Sequence, residues 1–159
     1  MRLNTDQEIR LVVDRYAPMV YRLAYARTHS HTDAEDISQE VFLSLIRSNP
    51  DFEAEENRKA WLLRVTVNKA NSLWRSSWRR RVQLSDAPLG EQAEPTADEA
   101  LQNALDALLP QERTLIHLFY YEGYPSEEIA HMLGWKHATV RTRLFRARKR
   151  LKAQMQQEM

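Results

Sequence analysis

Apolar and polar positions alternate with a helical period along nearly the whole chain. Ile9, Val12, Val13, Tyr16, Val20, Leu23 and Ala24 predict a first helix from about Asp6 to Thr28. Pro18 lies inside it and, lacking an N–H, predicts a kink or break near Ala17. Thr32-Asp33-Ala34-Glu35 has a capping-box pattern and opens a second helix, Ala34–Ser48, which Pro50 ends by disfavouring helix at Asn49. A third helix is expected from Asn57 to Arg81. The C-terminal part predicts a helix to Leu109, another over Pro110–Glu122 stopped by Gly123, a short one over Ser126–Leu133, and a last one over Ala138–Ala153. The pattern is that of an all-α protein.

Gln83–Ala97 interrupts the periodicity with Pro88, Gly90 and Pro95 among Ser, Asp and Glu, and reads as a flexible acidic linker. It divides the chain into an N-terminal helical bundle over 1–82, a linker over 83–97 and a C-terminal four-helix domain over 98–159. With 43% hydrophobic and 28% charged residues, both parts should fold. The absence of Cys excludes disulfides and zinc–thiolate sites. No window approaches the ~20 apolar residues of a membrane span. Arg2 is followed by no apolar run, so no secretory signal is expected, and a cytoplasmic location is.

The formal net charge of +1 hides a polarised layout. Between 83 and 112 there is no Lys or Arg, while Asp86, Glu91, Glu94, Asp98, Glu99, Asp106 and Glu112 are acidic. Between 136 and 152 there is no acid, while Lys136, Arg141, Arg143, Arg146, Arg148, Lys149, Arg150 and Lys152 are basic. A second basic cluster is Arg75, Arg79, Arg80 and Arg81. A solvated helix face is the plain reading of any one such run. Two clusters on helices with apolar faces point instead to two contacts with a nucleic acid.

Short helix, glycine turn and basic helix, as in Ser126–Leu133, Gly134 and Ala138–Ala153, form a helix-turn-helix pattern. At about 100° per residue, Val140, Leu144, Ala147 and Leu151 share a narrow seam. Arg141, Thr142, Phe145, Arg146 and Lys149 fall on the far side. Arg pairs with the guanine edge and Phe contacts a thymine methyl in the major groove, while flanking cations suit phosphates. An outward Phe145 between arginines argues against a merely solvated face.

On the second helix the seam is Ala34, Ile37, Val41 and Leu45, and the opposite side holds Asp36, Gln39, Glu40 and Leu43. That side reads either as a small protein-binding face with a polar rim or as a solvated face with one stray leucine. The third helix is apolar around most of its circumference, leaving a strip of Arg64, Asn68, Asn71 and Arg75 suited to bases and phosphates. The preceding loop offers Phe52 as an aromatic wall for an unstacked base, or as a core residue. Trp61 is expected in the core. Trp74 and Trp78 fit either the core or a stacking role.

Asp33-Ala34-Glu35-Asp36-Ile37-Ser38-Gln39-Glu40-Val41-Phe42, Ala60-Trp61-Leu62-Leu63-Arg64-Val65-Thr66-Val67-Asn68, Leu109-Pro110-Gln111-Glu112-Arg113, Glu128-Ile129-Ala130 and the run from Thr139 to Arg148 resemble, in order and spacing, an extracytoplasmic-function (ECF) sigma factor of the sigma-70 family. The resemblance implies a non-enzymatic transcription initiation factor. Its N-terminal domain, region 2, would bind the β′ clamp of core RNA polymerase and the −10 promoter element as single strand. Its C-terminal domain, region 4, would bind the duplex −35 element and the β flap. By motif position Asp36, Gln39, Glu40 and the adjoining Leu43 face the clamp. Phe52 and Asn68 line a pocket for a flipped base, beside Arg64, Asn71 and Arg75. Arg141, Thr142, Phe145, Arg146 and Lys149 read −35. The acidic linker would mimic nucleic acid. An anti-sigma factor is a further partner that the family admits. The chain departs from the pattern at Pro125 and Lys136, where small polar caps are usual, and at Ser72, where Asp is frequent.

No nucleophile–base pair, phosphate-cradling glycine loop or metal-ligand cluster is evident, so no cofactor, metal or small-molecule substrate is expected. His29 and His31 read as loop residues; His117, His131 and His137 lack acidic partners at ligand spacing. The alternative function is a conventional helix-turn-helix regulator that binds duplex DNA without being a polymerase subunit. A protein-only adaptor using the acidic face is a third reading.

Overall fold

The computed structural model describes residues 1–81 and 97–158, with side chains from 1 to 73 and from 98 to 157. Of the linker expected over 83–97, residues 83–96 lie outside the described residues, as do the side chains of Trp74, Arg75, Trp78, Arg79, Arg80 and Arg81, while Ala97 already belongs to a helix. Seven α-helices and one π-helical turn make up the described fold: α1 (Asp6–Thr28), α2 (His31–Ser48), α3 (Glu55–Arg81), α4 (Ala97–Asp106), α5 (Pro110–Ile116), the π turn (His117–Tyr121), α6 (Ser126–Leu133) and α7 (His137–Glu158). The chain divides into two compact units, Met1–Arg75 and Ser76–Met159, a division that falls inside α3.

In the first unit α1 runs unbroken through Pro18, contrary to the expected break. Pro18 is exposed, so its ring sits on the solvent side of α1 and not in the core. The cap of α2 also differs from expectation. Ser30, not Thr32, is the N-cap, and its hydroxyl accepts from the Asp33 N–H at 3.2 Å. His31 is therefore the first residue of the helix, not part of a loop. The α2 end agrees with expectation: Asn49 closes it in the left-handed region at φ 37°. The core joins Val20, Leu23 and Ala24 of α1 to Ile37, Val41 and Leu45 of α2 and Leu62, Leu63 and Val67 of α3, all buried. Thr66 is tolerated among them because its hydroxyl donates to the Leu62 carbonyl at 2.6 Å.

Polar contacts tie α1 to α3. Tyr16 donates to Glu55 Oε2 at 2.8 Å, and the other oxygen of Glu55 accepts from Arg58. Burial alone would raise the Glu55 carboxyl. The Tyr16 hydroxyl and the Arg58 charge outweigh it, so Glu55 titrates below its usual range. A depressed carboxyl contributes stability above its unfolded pKa and loses it as pH falls through the folded one. Acid titration of the chain should therefore weaken the first unit below the ordinary glutamate range. Glu55→Gln should flatten that part of the curve, read by circular dichroism against pH.

In the second unit α4, α5 and α6 pack against α7. Their buried residues include Ala104, Leu108, Leu115, Leu118, Ile129 and Met132, which meet Val140, Leu144 and Ala147 of α7. Glu112 is buried at the start of α5. Its carboxylate accepts from the Leu109 N–H at 3.0 Å and from Arg150 at 3.1 Å, satisfying a helix-end donor and pairing its own charge. The expected helix over Pro110–Glu122 changes register partway: a wide turn spans His117–Tyr121. It keeps Leu118 in the core while turning Tyr120 and Tyr121 outward. His117 pairs with an acid inside the fold: its Nε2 lies 3.2 Å from Glu122 Oε1, and its ring stacks on Tyr121.

Candidate nucleic-acid and protein interfaces

The helix-turn-helix is built by a specific end signal. Gly134 sits at φ 71°, and the Trp135 N–H returns to the Ala130 carbonyl at 2.9 Å, so α6 stops and the chain reverses toward α7. Pro125 is the N-cap of α6 without a side-chain hydrogen bond. Ser126, the first residue of α6, shares a 3.0 Å hydrogen bond with His137 Nε2, joining the starts of the two helices. Helix α7 begins at His137, one residue before expectation. The carbonyl of Lys136 accepts from the Val140 N–H at 3.1 Å, the first intrahelical bond that any residue at this position makes; an ammonium side chain has no oxygen to add the second bond of a small polar cap.

The two sides of α7 separate cleanly. Val140, Leu144 and Ala147 are buried. Arg141, Thr142, Phe145, Arg146 and Lys149 are exposed, Phe145 at 63%. Lys149 Nζ lies 5.8 Å from the centre of the Phe145 ring. The basic residues, alike in sequence, fall into two groups. Arg143 donates to Gln111 Oε1 at 2.8 Å and lies over the Trp135 ring at 4.9 Å. Arg148 lies over Phe119 and Tyr120, and Arg150 pairs with Glu112. These three brace the helix, whereas the outward set is displayed to solvent. The helical wheel already sets Arg143, Arg148 and Arg150 beside the seam and apart from the outward set; what it does not show is their bracing partners, which are distant in the chain.

On α2, Asp36, Gln39 and Glu40 are exposed around Leu43, which is 40% exposed. Ile46 is 44% exposed one turn further on and extends the apolar centre of that face. Its spacing from Leu43 was the available signal. The face has an apolar middle and an acidic rim, the layout of a protein contact.

On α3 the expected strip is only partly presented. Arg64 and Asn68 are exposed. Asn71 is half-buried and accepts from Arg27 of α1, so its amide is engaged in holding the bundle together. Of the two readings of Phe52, the structure shows the core one. It is 8% exposed, edge-on to Trp61, with the Arg58 guanidinium 5.4 Å from its ring centre. A ring flanked by an indole and covered by a cation excludes water and packs as core. Trp61 is half-buried.

Among the described residues no group of His, Cys, Asp or Glu is arranged to hold a metal ion, and no helix is long and apolar enough to cross a membrane. The chain matches the models "Sigma-70 region 2" over residues 12–80 and "Sigma-70, region 4" over residues 98–151. It is 34% identical to the ECF RNA polymerase sigma factor SigE of Mycolicibacterium smegmatis, over 89% of this chain and 59% of that protein. It is 32% identical to the RNA polymerase sigma factor SigV of Bacillus subtilis, over 87% of this chain and 85% of that one. With the ECF sigma factor SigM of Mycobacterium tuberculosis it shares 32% identity over 86% of this chain and 71% of that protein. The fold is similar to that of Bartonella quintana RpoE, solved with the anti-sigma factor NepR, at a TM-score of 0.75 and 26% identity, covering 94% of this chain and 98% of that one. Two sigma-70 regions in sequence, on two helical units with their polar faces outward, place the chain in the extracytoplasmic-function group of the sigma-70 family, the sigma factors of bacterial RNA polymerase.

Proposed function

We propose that this chain acts in the cytoplasm as a non-catalytic subunit that docks on core RNA polymerase through α2 and reads two promoter elements through α3 and α7. In this reading Asp36, Gln39, Glu40 and Leu43 meet the β′ clamp, and the second unit meets the β flap. Arg64 and Asn68 contact the single-stranded −10 element, with Arg75 beside them and Asn71 bracing the strip through Arg27. Phe52 walls the pocket for a flipped base once its loop moves. Arg141, Thr142, Phe145, Arg146 and Lys149 read the −35 duplex. The observation that carries the proposal is the exposure of those α7 residues opposite a fully buried Val140–Leu144–Ala147 seam. A surface phenylalanine on the same helix face as exposed arginines, with Lys149 beside its ring, gains nothing from water and fits a base edge. Holding an extruded base offsets part of the few kcal/mol that unstacking costs. The crystallised relative from Bartonella quintana carries an anti-sigma factor, and a partner of that kind would cover the same faces here.

The direct test is run-off transcription with purified core polymerase and promoter DNA, with and without this protein. Specific initiation should appear only when it is added; its absence rejects the proposal. Glu40→Lys should weaken association with core polymerase about tenfold, or about 1.4 kcal/mol, chiefly through a slower on-rate. The same change should leave the melting of the second unit where it was. Unaltered core affinity would move the interface away from α2. A conventional regulator would instead bind its operator tightly without polymerase, which gel-shift titration with the protein alone decides.

A further inference from the structure

The residues before α1 lie across the loop that carries Phe52, and side chains from two other elements fasten them. Asn49 makes a reciprocal pair with Leu3: the Leu3 N–H donates to Asn49 Oδ1, and Asn49 Nδ2 donates to the Leu3 carbonyl, each at 2.9 Å. This imitates the pairing of two strands with a side chain in place of one backbone. Arg58, 3% exposed at the start of α3, donates through Nη2 to the Met1 carbonyl at 2.8 Å and through Nη1 to Glu55. The same guanidinium covers the Phe52 ring. Its Nε is buried and finds no acceptor among the described residues.

We infer that Asn49 and Arg58 are positioning residues that hold the Phe52 loop shut, so that the N-terminal strap must loosen before a flipped −10 base can stack on Phe52. This inference rests on the reading of Phe52 as a wall of the −10 pocket. Two features support a loop with two arrangements. Arg58 lies over one face of the Phe52 ring in the closed form, so a base stacking there would have to displace it. That form also leaves one buried guanidinium donor unsatisfied, which an acceptor on the incoming strand would relieve. The closed form is held by a few hydrogen bonds at the edge of the unit, the kind of contact that opens locally without unfolding the bundle. A base that binds only the open form sees an affinity reduced by the open fraction, and weakening the strap restores it.

The test uses the full chain and single-stranded DNA selected from a randomised pool by this protein bound to core polymerase. Asn49→Gly keeps the left-handed backbone at position 49, which glycine adopts freely, and removes both hydrogen bonds to Leu3. It should raise affinity for the selected strand about fivefold, with no gain for the same sequence as duplex. Phe52→Ala should lose strand binding in either background. Independently of any variant, the Leu3 N–H of the wild-type chain should lose hydrogen-exchange protection when the strand is added. If Phe52→Ala lowers binding while Asn49→Gly leaves it unchanged and Leu3 stays protected, the strap is only structural and the inference fails alone. If Phe52→Ala has no effect, the reading of Phe52 falls and the inference falls with it.

Discussion

Leu144→Ala is expected to destabilise the C-terminal unit by about 2–5 kcal/mol, while Phe145→Ala, at the adjacent position, changes its stability by no more than about 0.5 kcal/mol. The contrast follows from the two sides of α7. Leu144 is 1% exposed and sits between Val140 and Ala147 in the apolar seam that α7 presents to α4, α5 and α6. Truncation removes transfer free energy and leaves a cavity that a small, close-packed unit fills poorly. Small domains have about 5–15 kcal/mol to lose, so the variant should melt well below the wild type. Phe145 is 63% exposed, and in the proposed reading, which sets its ring against a thymine methyl, its removal should instead reduce discrimination at that −35 position. Denaturant melts followed by circular dichroism give the first comparison, and binding to duplexes with and without the thymine methyl gives the second. Equal destabilisation by the two changes would mean that the seam and the reading face are not opposite each other.

Helices with one strong apolar stripe were legible from residues alone. The bounds of α1 and α6 agree with those read from periodicity, because each ends on a local signal: Thr5 caps the first with a side-chain oxygen, and Gly134 closes the other. Where reading and structure differ, something outside the local pattern decides. Pro18 is harmless because its side of α1 faces water. Ser30 caps α2 in place of Thr32 because capping needs an extended backbone as well as a hydroxyl, and Ser30 has it at φ −134° and ψ 121°. The π turn at His117–Tyr121 has no sequence signature of its own. It arises where Leu118 must stay buried while the aromatics after it turn outward.

The candidate interfaces were legible to the extent that exposure follows a helical wheel. Asp36, Gln39, Glu40, Arg64, Asn68 and the outward residues of α7 all lie on the surface. Phe52 and Asn71 do not follow the wheel, since their surroundings come from other elements. Trp61 and Arg58 close over the ring of Phe52, and Arg27 of α1 engages the amide of Asn71. Long-range contacts of this kind leave no periodic trace. The same is true of Asn49, which local reasoning assigns only to ending a helix and which also fastens Leu3.

Arg146→Ala and Arg143→Ala should differ in kind although both remove an arginine from the same helix. Arg146 is exposed on the side opposite the seam and is aimed away from its own unit. Its loss should cost about 1–3 kcal/mol at one base position and relax specificity there, because a guanidinium that pairs with both acceptors of a guanine edge discriminates at that step alone. Arg143 is committed to Gln111 of α5 and to the Trp135 ring in the turn. Removing it gives up one side-chain hydrogen bond and one partly exposed cation–π contact, together about 1–2 kcal/mol of stability. It also frees α7 to shift relative to the turn. The expected result is weaker binding spread over all base positions, with a lower melting temperature and an unchanged preference pattern. Arg143→Lys should not restore the wild type, since an ammonium cannot stack flat on Trp135 while reaching Gln111. The measurement is binding of each variant, assembled with core polymerase, to a set of −35 duplexes changed one base pair at a time. A position-specific loss for Arg143→Ala, or a uniform one for Arg146→Ala, would exchange the roles of the bracing and the reading arginines.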